Sequence, residues 1–311
     1  MNRDTFSSYH PTINFIYFAL VLIFTMFFLH PVSLLISLLS SLTYAVYLNG
    51  RKAVQFSLRF MLPMMLIAAI TTPAFSHEGM TILAYLPSGN PLTLESILYG
   101  IAAAVMLASV ITWFSCYNAV MTSDKFVYLF GRVLPALSLV LSMTLRFVPK
   151  FKAQLQVVSE AQRCVGRDVS DGTMLQRTKN AITILSIMVT WSLESAIETA
   201  DSMKSRGYGL PGRTAFSIYR FDDRDKAALC WLCFCSFYIF SGWMAGGLDW
   251  QYYPVMNGTL AGAFPVSFQL VYLALCLTPV ILNASENRRL QRLRRSVEST
   301  KMEVPNETST L

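Results

Sequence analysis

The sequence predicts an all-α integral membrane protein: about six transmembrane helices, with a block of cytoplasmic amphipathic helices between the fourth and fifth. Three observations carry that prediction. The 311 residues are 54% hydrophobic and 14% charged, with a mean hydropathy of +0.46, too apolar for an ordinary soluble domain of this size. Charge-free apolar runs of spanning length recur along the chain. All 25 Lys and Arg residues lie in segments that a single topology puts on one side.

The runs fall at residues 13–29, 32–48, 60–76, 96–121, 227–247 and 264–283, each reaching the roughly 17–25 residues that cross hydrocarbon as a helix. The first is too long for a secretory h-region, and only His30 and Pro31 separate it from the second. It is therefore expected to remain attached. Segments 1–12, 49–59, 122–226 and 284–311 carry one, three, fifteen and six basic residues, whereas 30–31, 77–95 and 248–263 carry none. By length alone about five would fall in the second group, so the bias orients the chain with both termini cytoplasmic. The expected organisation is a four-span membrane domain (1–121), a cytoplasmic domain (122–226), two further spans (227–283) and a basic tail (284–311).

What the spans lack narrows the function. None holds a charged residue, whereas proton pumps, voltage sensors and ion-coupled transporters need ionisable groups at membrane depth. Gly100, Ala104 and Ala108 give the fourth span a smooth face for close helix packing. The six cysteines (116, 164, 230, 233, 235 and 276) imply no disulfide framework, and Cys230, Cys233 and Cys235 have no nearby His to complete a metal site, so they read as core packing. His10, His30 and His77 flank spans singly, and His77-Glu78 lacks the second His of a zinc-protease helix. No Walker A element occurs, so ATP hydrolysis must come from elsewhere. The tail from Arg288 to Arg295 lacks stacking aromatics, which favours a lipid surface over nucleic acid.

Within 122–226, Phe151, Leu155 and Val158 form one apolar stripe flanked by Lys150, Lys152, Gln154, Gln156 and Glu160, an amphipathic helix stopping at Gly166. A second helix is expected from Thr173 to Arg206, ending at Gly207 with Gly209 and Pro211 beyond. Glu194, Glu198 and Asp201 lie on one of its faces, a solvated face in preference to an acidic patch for a partner. The apolar runs 134–147 and 181–193 are short for spans, and the basic residues between them, including Lys150, Arg163 and Arg177, oppose a topology that places that segment outside.

These residues resemble the transmembrane T component of energy-coupling factor (ECF) transporters, the EcfT/CbiQ-like family. The similarity is carried by two amphipathic helices that end in short Ala-Arg-Gly-like elements: Glu160-Ala161-Gln162-Arg163-Cys164-Val165-Gly166, then Ser202-Met203-Lys204-Ser205-Arg206-Gly207-Tyr208-Gly209. The approach from Leu137 through Leu145-Arg146-Phe147-Val148-Pro149 is also similar. The resemblance implies a prokaryotic plasma (inner) membrane, coupling helices on the cytoplasmic face, and two ABC-type ATPase subunits docked by the Arg residues. It further implies a membrane-embedded S component that selects a vitamin, cobalt or nickel, with no resident cofactor, metal or catalytic residue. The implied coupling residues are Ser205, Arg206 and Gly207 in the second element. In the first they are Gly166 with Arg163 or Arg167, because Cys164 and Val165 occupy the positions of Ala and Arg. Two other readings compete: a conventional ABC permease, from Glu160-Ala161 and Gly166, and an intramembrane prenyltransferase, from the cluster Asp222, Asp223 and Asp225.

Overall fold

The structure is a computed structural model that describes residues 4–76, 79–85, 91–131, 134–170, 172–211, 219–258 and 262–303; His77 and Glu78 lie outside them. Backbone contacts divide the chain into two units, residues 1–122 with 219–311, and residues 123–218.

Every predicted span falls on a helix of the first unit. These are α1 (Pro11–Phe27), α2 (Pro31–Asn49), a continuous run made of α3 (Arg51–Phe56), a π-helical turn (Ser57–Met61) and α4 (Leu62–Phe75), then α5 (Leu94–Val120), α9 (Asp223–Met244) and α10 (Ala263–Glu303). The second unit holds α6 (Ser123–Gly131), α7 (Pro135–Cys164) and α8 (Met174–Ser205). The described strands are two short hairpins: β1 (Ile82–Tyr85) with β2 (Pro91–Thr93), and β3 (Trp250–Gln251) with β4 (Asn257–Gly258).

Among the described residues six helices have the length and composition to cross a membrane; α8 is one of them, and α1, an apolar helix of 17 residues, stands beside them at the short end of the spanning range. The apolar run of α8 is continued by uncharged Ser, Thr, Asn and Ala, which lengthens its low-charge window past residues 181–193.

Helix starts in the first unit follow a repeated device. His10-Pro11 and His30-Pro31 open α1 and α2, and each imidazole Nδ1 accepts the N–H two residues on, from Thr12 and Val32, at 3.3 Å. Proline at the first helical position loses no hydrogen bond there, so the single histidines flanking these spans serve as N-caps. At the same end as His10, Asp222 and Asp225 form a reciprocal capping box on α9, and Asp225 accepts the His10 N–H at 3.2 Å. Asp223 pairs with Lys226. These contacts give all three aspartates a role at a helix start.

That end also collects the N-terminal segment and the exit of α10. Buried Asn283 accepts N–H bonds from Thr5 (2.7 Å) and Phe6 (3.2 Å) and donates to Asp4. Tyr44 of α2 donates to Asp4 at 3.1 Å, and Asn287 donates to Tyr47 at 3.0 Å. The opposite end is tied by Tyr252 donating to the Leu29 carbonyl at 3.0 Å and by Gln269 against His30 at 3.3 Å. Helix α10 does not stop where its apolar run does but continues unbroken into the basic tail as far as Glu303.

Between the ends, Trp113 is fully buried among Tyr17, Phe18 and Tyr44. Its indole N–H donates to Ser37 Oγ at 3.0 Å, Ser37 lies 2.8 Å from Thr25 Oγ1, and Thr25 lies 3.1 Å from Tyr272 OH. This knot joins α5, α2, α1 and α10 and leaves each of these polar groups paired, as burial requires. The small-residue face of α5 packs within the chain: a Cβ on Gly100 would lie 2.8 Å from the Ala69 carbonyl oxygen of α4, and Ala104 and Ala108 are buried. The cysteine cluster of α9 is a partial correction. Cys235 lies in the core, but Cys230 and Cys233 are exposed, because a helix turns about 100° per residue and offsets of two and five residues point elsewhere.

Candidate functional site

The second unit is built on a hairpin of α7 and α8. Its apolar seam holds two residues of the predicted stripe, with Val158 packing on Ile184 and Met188 and Phe151 meeting Trp191 edge-on at 5.4 Å, while the third, Leu155, is exposed. Lys150 donates to Ser195 Oγ at 3.0 Å and sits 5.1 Å from the Trp191 ring, joining a hydrogen bond to a cation–π contact. Rising numbers on α7 meet falling numbers on α8, so the two helices run antiparallel. Helix α7 continues through Pro149 instead of dividing into an apolar approach and a separate amphipathic helix.

The connection between the helices is fastened to the start of α8. Asn180 Nδ2 donates to the Asp168 carbonyl at 2.8 Å, and Arg177 Nε donates to the Val169 carbonyl at 2.7 Å. The Asp168 carboxylate accepts the Ser170 N–H at 3.0 Å and pairs with Arg163 Nε at 3.2 Å. Hydrogen bonding from Ser170, aided by the Arg163 charge, holds the Asp168 carboxyl below the usual aspartate range.

Both helices then end in the same way. At α7, Gly166 N–H bonds the Arg163 carbonyl at 3.0 Å and Arg167 N–H bonds the Gln162 carbonyl at 2.9 Å. At α8, Gly207 N–H bonds the Lys204 carbonyl at 2.9 Å and Tyr208 N–H bonds the Met203 carbonyl at 3.0 Å. These are two Schellman motifs, which need a left-handed residue after the cap; Gly166 (φ 76°) and Gly207 (φ 78°) supply it. The cap residues are Val165 (φ −90°, ψ 8°) and Arg206 (φ −84°, ψ 8°).

The caps therefore align the two elements residue by residue. Val165 stands where Arg206 stands, Cys164 matches Ser205, Arg163 matches Lys204, and Arg167 matches Tyr208. Neither predicted substitute, Arg163 or Arg167, shares the backbone position of Arg206, and Arg163 is already paired with Asp168. Arg206 is exposed and makes no ion pair among the described residues. Ser205 Oγ donates back to the Ser202 carbonyl at 2.9 Å, so a small polar side chain folds away beside the guanidinium. Glu194, Glu198 and Asp201 are all exposed.

Beside the seam an apolar groove of about 640 Å³ is lined by Phe151, Leu155, Ile184, Leu185, Met188 and Val189. Ile182, Leu185, Val189, Leu193 and Ile197 continue an exposed apolar face along α8. Among the described residues no cluster of three or more His, Cys, Asp or Glu could hold a metal ion. Sequence reasoning found the two helix ends but missed the braces Lys150, Trp191, Asp168, Arg177 and Asn180, whose partners are separated in the chain and leave no local pattern.

Comparison with known proteins gives this arrangement a family. The chain is similar to the energy-coupling factor transporter transmembrane protein EcfT of Lactobacillus helveticus, 36% identical over 96 residues, covering 30% of this chain and 35% of that protein. It is 38% identical over 93 residues to the corresponding protein of Lacticaseibacillus paracasei, covering 30% and 35%. To that of Bacillus selenitireducens it is 28% identical over 224 residues, covering 67% and 83%. The matches to the first two thus span about a third of those relatives' length. The description CbiQ, Cobalt transport protein, matches residues 6–216. That match runs from the 3₁₀ turn Phe6–Ser8 before α1 through both capped helix ends, and the chain belongs to the CbiQ family.

Proposed function

We propose that the protein is the transmembrane coupling (T) component of an ECF-type ABC importer in the inner membrane of a prokaryote. Two ABC-type ATPase subunits grip the ends of α7 and α8 on the cytoplasmic side, and their closure on ATP is passed through the hairpin to a membrane-embedded S component that carries a vitamin or a transition-metal ion. The observation that carries this reading is the pair of identically capped helix ends, one presenting the exposed Arg206. A guanidinium offers five fixed donors and a permanent charge to carboxylates of a partner groove, and the left-handed glycine behind it takes the chain away from the contact. The brace of Lys150 on Trp191 and Ser195 stiffens the hairpin as a lever requires. The exposed apolar face of α8 suits a partner that is itself apolar. With no Walker A sequence in the chain, the work of hydrolysis falls to the partners. The absence of basic residues from 30–31, 77–95 and 248–263 supports the orientation with both termini inside.

Affinity purification of the full chain from its own cells tests the proposal. ATPase subunits and a small membrane protein are expected to co-purify in stoichiometric amounts, and their absence would remove the reading. Substrate uptake by that complex, lost on Arg206→Glu, is the matching functional measurement.

A further inference from the structure

We infer that the stretch of α10 from Arg288 to Arg295 is a binding surface for anionic phospholipids, attaching the chain to lipid phosphates at the membrane face where α10 leaves the bilayer. The surface lies outside residues 6–216, the part matched by the family, and does not depend on the coupling role.

Five of the eight residues from 288 to 295 are Arg, and none is Lys, Asp or Glu. A planar guanidinium grips a phosphate through two parallel N–H bonds, whereas an ammonium acts as a point charge. Topology asks only for a bias of basic residues toward one side; it does not ask for this density or for Arg alone. Because α10 stays helical from Ala263 to Glu303, positions 288, 292 and 295, spaced i, i+4 and i+7, share one face. The apolar positions 290, 293 and 297 share the opposite face, and 289 and 294 flank the basic one. A basic amphipathic helix of this kind suits the boundary between water and acyl chains. Arg288 and Arg292 are exposed and make no ion pair among the described residues. Glu286 stands about 200° around the helix from Arg288, and the next acidic residue is Glu298.

Position relative to the bilayer favours lipid over a protein partner. The charge-free apolar run ends at Asn283. At 1.5 Å per residue Arg288 lies about 8 Å beyond it and Arg295 about 18 Å, and any tilt of the helix brings both nearer. Arg288 is thus at the depth of the headgroups, and the rest of the stretch follows within about a Debye length. Tyr47, of a type that collects at membrane interfaces, marks the same level, since Asn287 Nδ2 donates to its hydroxyl at 3.0 Å. Arg51 and Lys52, both exposed at the start of α3, add two cations shortly after Tyr47. A protein would have to enter the headgroup layer to meet Arg288, whereas lipid phosphates are already there. Each basic residue held near an anionic surface strengthens the attraction about fivefold.

Hydrogen–deuterium exchange on the full chain in nanodiscs tests the inference, with neutral phosphatidylcholine discs set against discs containing about a third phosphatidylglycerol. Peptides covering 284–303 are expected to exchange at least tenfold more slowly in the anionic discs at 0.1 M salt, and to lose that protection at 1 M, where charges are screened. This comparison needs no variant. Arg288→Gln with Arg292→Gln should remove most of the protection, Arg288→Lys with Arg292→Lys should keep more than half of it, and α5 peptides should exchange alike throughout. Equal exchange in the two kinds of disc, or anionic protection that the Gln pair retains, overturns the inference. So does a tail that stays unprotected in anionic discs and becomes protected only when co-purified partner proteins are present, which would make the surface a protein contact.

Discussion

Replacing Gly207 by Ala isolates the backbone device that aims Arg206. The glycine sits at φ 78°, where an L-residue with a Cβ pays about 1–2 kcal/mol. The added methyl would lie 3.1 Å from Leu210 Cδ1, the far end of a flexible side chain that can turn aside, so the cost is mainly conformational. A destabilisation of that size raises the open population of the last turn by about 5- to 30-fold. Hydrogen–deuterium exchange on the full chain in lipid nanodiscs reads this directly, because the Gly207 and Tyr208 amides are the donors to the Lys204 and Met203 carbonyls. Faster exchange is expected in peptides covering the end of α8, with α5 unchanged. Gly207→Asn should show a smaller effect, since Asn tolerates the left-handed region better than Ala. If Gly207→Ala exchanged like the parent, or if Asn and Ala were indistinguishable, the Schellman end would not be what fixes Arg206.

Gly100→Val drives side-chain atoms against the Ala69 carbonyl of α4, a backbone atom that cannot rotate away; a loss of about 1–3 kcal/mol is expected, visible as a lower thermal unfolding midpoint in detergent. Lys150→Ala removes both the Ser195 hydrogen bond and the Trp191 contact, at a cost of about 1–2 kcal/mol. Exchange should quicken where α7 and α8 face each other, whereas Lys150→Arg should preserve much of the protection; equal effects from the two variants would argue against the brace. For Asp168, whose carboxyl is held below the ordinary range, the ionised form is the one that binds the Ser170 N–H. Its contribution is present above the unfolded aspartate pKa and is lost as pH falls through the lower folded value. Protection of the Ser170 amide should therefore hold at neutral pH and fall in acid, and Asp168→Asn should lose the Arg163 pairing at every pH.

Legibility followed the kind of signal each element leaves. The spans of the first unit were readable because hydrocarbon demands long runs without charge, and the ends of α8 because Gly207 after a basic residue marks a helix stop; Thr173 and Arg206 are indeed its caps. Helix α7 was harder to read, since Pro149 and nearby charges break the apolar pattern although the backbone continues. The length of α10 was understated for a related reason. Charge marks the end of an apolar run, but Asn, Ser, Glu and Arg are all compatible with continuing the helix. The alignment of Val165 with Arg206 emerges only once the cap hydrogen bonds are known, because spacing alone leaves Arg163, Val165 and Arg167 as rivals. Pairings such as Lys150 with Ser195, 45 residues apart, depend on the hairpin register, which no local rule supplies.

The unbroken passage of α10 beyond Asn283 has a mechanical meaning. The basic extension is helically continuous with Tyr272, with Pro279 between them removing one backbone N–H from the ladder, and Asn283, bonded to Asp4, Thr5 and Phe6, moors the helix to the N-terminal segment where it leaves the apolar run. A displacement of the tail therefore meets the N-terminal mooring at Asn283 before it can reach the Thr25–Ser37–Trp113 knot through Tyr272.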